Sequence, residues 1–186
     1  NRGIRKHRMA LLSGPKPMRE VLKEFADRCL GIISSEDQEL PIETVQSGIT
    51  HYSVVQPLYR RLDVHGTGRP LLLVRTGPFP RWEPSQQIEG CTLLIPFQDP
   101  ANVGAAIRSA AAFGAARAVL LKESANPFLP KSARAAGSCL FRIPLLEGPS
   151  VYDLGPSASP VITLSPQGRD VREFAFPPSF LLLPGL

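Results

Sequence analysis

The chain has 186 residues, 43% of them hydrophobic and 20% charged, a balance that sustains a buried core and argues against intrinsic disorder. Its 21 Lys and Arg against 16 Asp and Glu leave a formal charge of +5, which favours a polyanionic partner without requiring one. No apolar run reaches bilayer-spanning length, no secretory signal opens the chain, and three scattered cysteines form neither a CxxC pair nor a disulfide framework. Cytoplasmic residence without membrane association is the resulting expectation, with Cys29, Cys91 and Cys139 as small buried side chains.

In chain order, the first 28 residues carry Arg2, Arg5, Lys6, Arg8, Lys16, Arg19, Lys23 and Arg28. That concentration suits an RNA contact and a solubilising tail equally. Pro17 opens a helix whose Met18, Val21, Leu22 and Phe25 share one face. Cys29–Ile33 reads as a strand, Pro41–Val45 as a second, and Val54–Leu62 as a helix. The polar stretch 34–39 is short for a crossover between parallel strands, which suggests residues missing there. His65-Gly66-Thr67-Gly68 is a turn before the buried strand Leu71–Arg75. The proline-rich run 77–89 is expected as a linker, with Trp82 either an exposed stacking platform or packed within the linker.

From Cys91 the pattern is βα: a strand over Cys91–Ile95, a helix over Val103–Phe113 and a strand over Ala118–Leu121, as in a parallel sheet. A helix over Pro130–Ala136 and strands over Cys139–Ile143, Val161–Leu164 and Phe180–Leu183 follow, their continuous apolar character implying cover on both faces. A strand ending at Leu183 would leave an open sheet edge unless something covers it.

Two segments carry candidate chemistry. In 99–108 a strand end runs into a helix, where ligands of open α/β sheets lie. Asn102 is placed to cap that helix, Gly104 to permit close approach, and Arg108 to reach a phosphate over the strand ends. The plainer alternative is a capped helix with a surface arginine. In 126–138, Lys131 and Arg134 share a helix face and stand near Ser132 and Ser138, a set able to hold RNA phosphates or simply to be solvated. Phe128 and Phe141 fit a core better than a base stack. The glycine triplet of a dinucleotide site, a P-loop, a GxSxG elbow and a helix-spaced histidine metal pattern are all missing.

Asn102, Gly104, Arg108, Ala110, Phe113 and Gly114 closely resemble the first motif of SpoU-type (TrmH-like) RNA 2′-O-ribose methyltransferases. Residues 130–138 with Phe141-Arg142-Ile143-Pro144 are similar to that family's following segment, and 11–75 resemble the small ribosomal-protein-like domain often fused ahead of it. The resemblance implies an α/β protein: a substrate-RNA-binding domain over 1–76, a linker over 77–89, and over 90–186 the N-terminal part of a Rossmann-like trefoil-knot domain with a parallel sheet. It further implies methyl transfer from S-adenosylmethionine to a ribose 2′-hydroxyl of rRNA or tRNA by a homodimer acting on structured RNA. By the match, Asn102 and Arg108 take catalytic roles, Arg19, Lys131, Ser132, Arg134 and Ser138 contact RNA, and Leu183 and Gly185 contact the cofactor. No metal is implied.

The family's second motif, with its glutamate, and its third motif do not follow Leu183 in this chain. The 186 residues are therefore expected to be truncated and inactive alone, with activity in the complete protein. A catalytically silent RNA-binding protein and an interaction protein presenting the edge after Leu183 are the competing readings.

Overall fold

A computed structural model describes residues 2–41, 45 and 48–185. Two sheets are built in succession. The first begins with helix α1 (Arg2–His7), strand β1 (Met9–Leu12), helix α2 (Pro15–Glu24) and strand β2 (Cys29–Ser35). Strand β3 (His51–Val54), helix α3 (Gln56–Leu62) and strand β4 (Leu71–Arg75) complete it, in the strand order β1-β4-β2-β3. Only the β2–β3 pair is parallel. Pro15 and Pro17 lie in the first turn of α2, where a missing N–H costs nothing, and Met18 and Val21 are buried beneath it.

Two expectations change here. The expected strand over Pro41–Val45 falls largely outside the described residues, and the parallel partner of β2 is His51–Val54. This strand has exposed His51, Tyr52 and Ser53 at the sheet edge, so it lacks the apolar run that marks buried strands. The crossover then occupies 36–50, long enough for a parallel connection without missing residues. Gly31 is required by this pairing, since a Cβ there would lie 2.5 Å from the Tyr52 ring.

The second sheet contains strands β5 (Gly90–Ile95), β6 (Arg117–Leu120), β7 (Leu145–Glu147), β8 (Val161–Thr163) and β9 (Ser179–Leu183) in the order β7-β6-β5-β9-β8. Every pairing in it is parallel. Helices α4 (Pro100–Ala112), α5 (Pro130–Ala136) and α6 (Cys139–Arg142) connect its strands. The family-like βα order is thus present, and β9 is flanked on both sides by β5 and β8. The edge that β9 would leave open is covered by β8 of the same chain. The edge strand on this side is β8, whose Val161 is 43% exposed rather than covered on both faces.

A further correction concerns 139–143, a helix rather than a strand. Gly137 turns the chain at φ 60, Ser138 enters the helical region, and Leu140 and Ile143 are buried three residues apart. Apolar runs this short fit either period, and Pro144 then forces Ile143 into extended geometry and delays the strand to Leu145–Glu147.

Alternation sorts the sheet's side chains onto two faces. Leu93, Ile95, Ala118 and Leu120 face Val103 and Ile107 of α4, in a cluster that continues through Phe128 and Ala133 into Leu12, Val21, Ile32 and Leu72 of the first unit. The two sheets therefore share apolar packing. Leu94, Val119, Leu121, Leu181 and Leu183 face the other way and close around Trp82 and Ile88. Trp82 is 1% exposed, which removes it as a stacking platform. The run expected as a linker is pinned to β7, where Trp82 N–H donates to the Glu147 carbonyl and Glu147 N–H to the Pro80 carbonyl, both at 2.9 Å.

The three thiols are free and only partly buried. Burial, assisted by the Asp27 carboxylate, pushes the Cys29 thiol up to about 11. Between pH 9 and about 11 the folded protein keeps a proton that an unfolded chain releases, so stability falls as pH rises through that window and is unaffected below it. Urea midpoints measured below and inside the window should diverge, and Cys29→Ala should shrink the difference; an unchanged difference would refute the assignment.

Candidate active site at the carboxyl edge of the parallel sheet

All five strands of the second sheet run the same way, so their carboxyl ends form one edge. β5 delivers the chain through 96–99 into α4 at this edge. Asp99, not Asn102, is the helix cap: its Oδ1 accepts from Ala101 N–H at 2.6 Å and Asn102 N–H at 3.3 Å, with Pro100 in the first turn. Asn102 is thereby freed from capping and stands exposed in the first helical turn. Aspartate followed by proline is itself a start signal, and it outranks an asparagine three residues later.

Gly104 faces protein rather than solvent. A Cβ on it would sit 2.2 Å from the Ser132 carbonyl oxygen and 2.7 Å from the Ala135 Cβ, so α4 and α5 touch backbone to backbone here. The alanines of both helices permit this approach. One turn on, Arg108 is exposed and forms no ion pair among the described residues; the same holds for Lys131 and Arg134 on α5. The tight contact thus joins two helices that each offer unneutralised cations to solvent.

The two serines differ from these cations. Ser132 is fully buried with an unpartnered Oγ, and Ser138 is 3% exposed with its hydroxyl donating to Glu20 Oε2. Neither offers a surface to a phosphate in this conformation. Ser138 belongs instead to the junction of α2 and α6, which Arg142 reinforces through Glu24 at 2.7 Å and Glu20 at 3.8 Å. Arg19 lies exposed on α2 and has no ion pair among the described residues.

Leu183 and Gly185 stand at the end of β9, directly beside β5: Leu93 is level with Leu182 in the register. Leu183 is 8% exposed, its carbonyl accepts from Leu164 N–H at 3.2 Å, and Gly185 is exposed. A Cβ at Gly185 would stand 3.1 Å from the Leu164 carbonyl. An apolar strand end followed by accessible glycine backbone is the kind of surface on which an adenosyl group can lie, so the residues present fit such a group. Among the described residues no cluster of His, Cys, Asp and Glu could hold a metal, and no helix is long and apolar enough to cross a membrane.

The profile described as the SpoU rRNA Methylase family matches residues 91–185, which takes in the sheet, α4 and the strand-end segment just described. The chain belongs to the SpoU family. Over 187 aligned residues it is 46% identical to a protein named ribosomal RNA small subunit methyltransferase G 2 from Syntrophobacter fumaroxidans, covering 100% of this chain and 37% of that protein. The SpoU chain thus spans just over a third of the curated relative it matches. Among solved structures, a protein of the TrmH family from Porphyromonas gingivalis is 25% identical with a TM-score of 0.66, covering 99% of this chain and 75% of that one. The SpoU methyltransferase AviRb from Streptomyces viridochromogenes, solved with AdoMet, is similar in fold, with a TM-score of 0.71 at 21% identity over 98% of this chain and 75% of its own.

Proposed function

We propose that the complete SpoU protein containing this chain transfers a methyl group from S-adenosylmethionine to a ribose 2′-hydroxyl of rRNA or tRNA. The observation that carries the reading is a juxtaposition: Asn102 follows β5, Leu183 and Gly185 end β9, and the two strands are parallel neighbours sharing a carboxyl edge. When bound, the cofactor supplies an electrophilic methyl carbon. The chain's part is to place and polarise the nucleophile. Asn102, free of the cap, is available to orient the ribose beside Gly185. The role of Arg108 is to grip the adjoining phosphate with its fork of N–H donors and to stabilise charge developing on the 2′-oxygen as its proton passes to water. Lys131, Arg134 and Arg19 extend the contact with the RNA backbone.

The same reading assigns 1–76 to substrate binding, 77–89 to the connection and 90–186 to the N-terminal part of a trefoil-knot catalytic domain, with the complete protein a homodimer in the cytoplasm. The test uses the complete protein, labelled S-adenosylmethionine and rRNA or tRNA, with ribose methylation read from resistance to alkaline cleavage. Arg108→Ala should lower kcat by about a hundredfold, the scale of losing one donor to developing charge. Label on a base, or a full rate in Arg108→Ala, would overturn the proposal; RNA binding without methyl transfer would favour a silent binder.

A further inference from the structure

A second feature occupies the carboxyl edge, beyond β6 and β7 rather than β5 and β9. A cleft of about 600 Å³ opens between α1, the stretch 76–81, the 120–128 segment and Glu147–Pro149. Arg5, Arg8, Arg81 and Lys122 line it against the single carboxylate of Glu147. Arg81 is engaged by Glu83 at 3.1 Å, whereas Arg5, Arg8 and Lys122 are exposed and form no ion pair among the described residues. Neither Asn102 nor Arg108 lines this cleft.

Three properties say what it accepts. Like charges gathered around a concavity focus a positive potential that attracts a polyanion. The backbone holds them there: Arg8 adopts φ 53, the one non-glycine left-handed residue among those described, with its N–H donating to Ile4 and its carbonyl accepting from Thr76 N–H at 2.8 Å. Strained backbone fixed by its surroundings is a recurrent property of ligand-binding sites. Finally, Phe79 lines the cleft wall partly buried, packed against the core and stacked on buried Phe128 with centroids 6.2 Å apart and planes 6° apart. A fixed ring face beside cations suits an unpaired base with its flanking phosphates; a bare anion would leave the ring unused, and a paired base hides its face.

We propose that this cleft binds single-stranded RNA, with phosphates on Arg5, Arg8 and Lys122 and a base against Phe79. The inference rests on the reading that the complete protein modifies RNA, and it adds a second contact region and a preference for unpaired substrate.

Fluorescence anisotropy with a labelled oligouridylate and a labelled RNA duplex of equal length, from about 50 to 200 mM salt, tests it on the complete protein. The triple variant Arg5→Ala/Arg8→Gly/Lys122→Ala removes charge while glycine accepts the φ of Arg8. It should bind the single strand at least about tenfold more weakly and lose roughly two units of log–log salt slope, at about 0.7 per phosphate contact. Phe79→Leu should weaken binding about tenfold with the slope unchanged, because stacking releases no counterions. If the triple variant fails to fold, Lys122→Ala alone should still lose about 0.7 of slope. Parent-like slope and affinity in these variants, or tighter binding of the duplex, would overturn the inference. Parent-like binding together with intact ribose methylation sinks the cleft and leaves the catalytic proposal standing; weakened binding by a complete protein without transferase activity does the reverse.

Discussion

Replacing Trp82 with alanine is expected to lower folding stability by about 3–5 kcal/mol, the range for removing a fully buried large aromatic. Trp82 is 1% exposed and closes the face of the parallel sheet opposite α4, against Leu94, Val119, Leu121, Leu181 and Leu183 from three adjacent strands. Gly148 lies under it, with a position for Cβ only 3.6 Å from Trp82 Cε3. Few side chains are available to collapse into the space, so most of the cavity would persist. Backbone pairing of Pro80 and Trp82 with Glu147 would be loosened as well, which adds to the loss. The indole N–H has no partner, so Trp82→Phe, which removes that orphaned donor and keeps a ring, should lose under about half as much. Urea denaturation followed by circular dichroism measures both. Because Trp82 is the only tryptophan, its fluorescence also reports unfolding in the parent protein. An alanine variant within about 1 kcal/mol of the parent would show that this face is closed by something else.

Gly104→Ala should be nearly as damaging, although alanine is ordinarily the better helix former by about 1 kcal/mol. The added Cβ would lie 2.2 Å from the Ser132 carbonyl oxygen, 2.7 Å from the Ala135 Cβ and 3.0 Å from the Ala136 nitrogen. Two of those three atoms are backbone, so no flexible side chain can swing aside and α4 must separate from α5. Overpacking of this kind costs about 3 kcal/mol or more, exceeding the propensity gain. The same movement would shift Arg108 relative to Lys131 and Arg134, so under the proposed function RNA affinity of the complete protein should fall along with the thermal midpoint. Alanine at Gly3, where nothing lies within 4 Å, serves as the neutral control. A Gly104→Ala protein as stable as the parent would mean that the helices do not meet at this distance.

Much of the architecture is determined locally. Leu71–Arg75 and Pro130–Ala136 coincide with the observed elements, and the strands at 90–95 and 179–183 differ from expectation by a residue or so, because long apolar runs and N-terminal prolines carry their own signal. The close approach at Gly104 was legible for the same reason, in a βα junction whose spacing is a property of the chain, whereas the capping expected of Asn102 falls to Asp99. Other features were hidden because their causes are remote in sequence. His51–Val54 is a strand only because β2 offers it a free edge, and 139–143 is a helix only because Gly137 and Pro144 bracket it within a packed corner. Ser132 and Ser138 look like phosphate ligands until α4 and α2 cover them. The cleft joining Arg5 and Arg8 to Phe79 and Lys122 has no linear signature at all. Sequence by itself determined which residue types stand at each strand end, since periodicity and capping act over a few residues. Which of them meet, and which are sealed from solvent, was decided only when the two sheets packed against a shared apolar cluster, because burial depends on partners that the chain brings from far away.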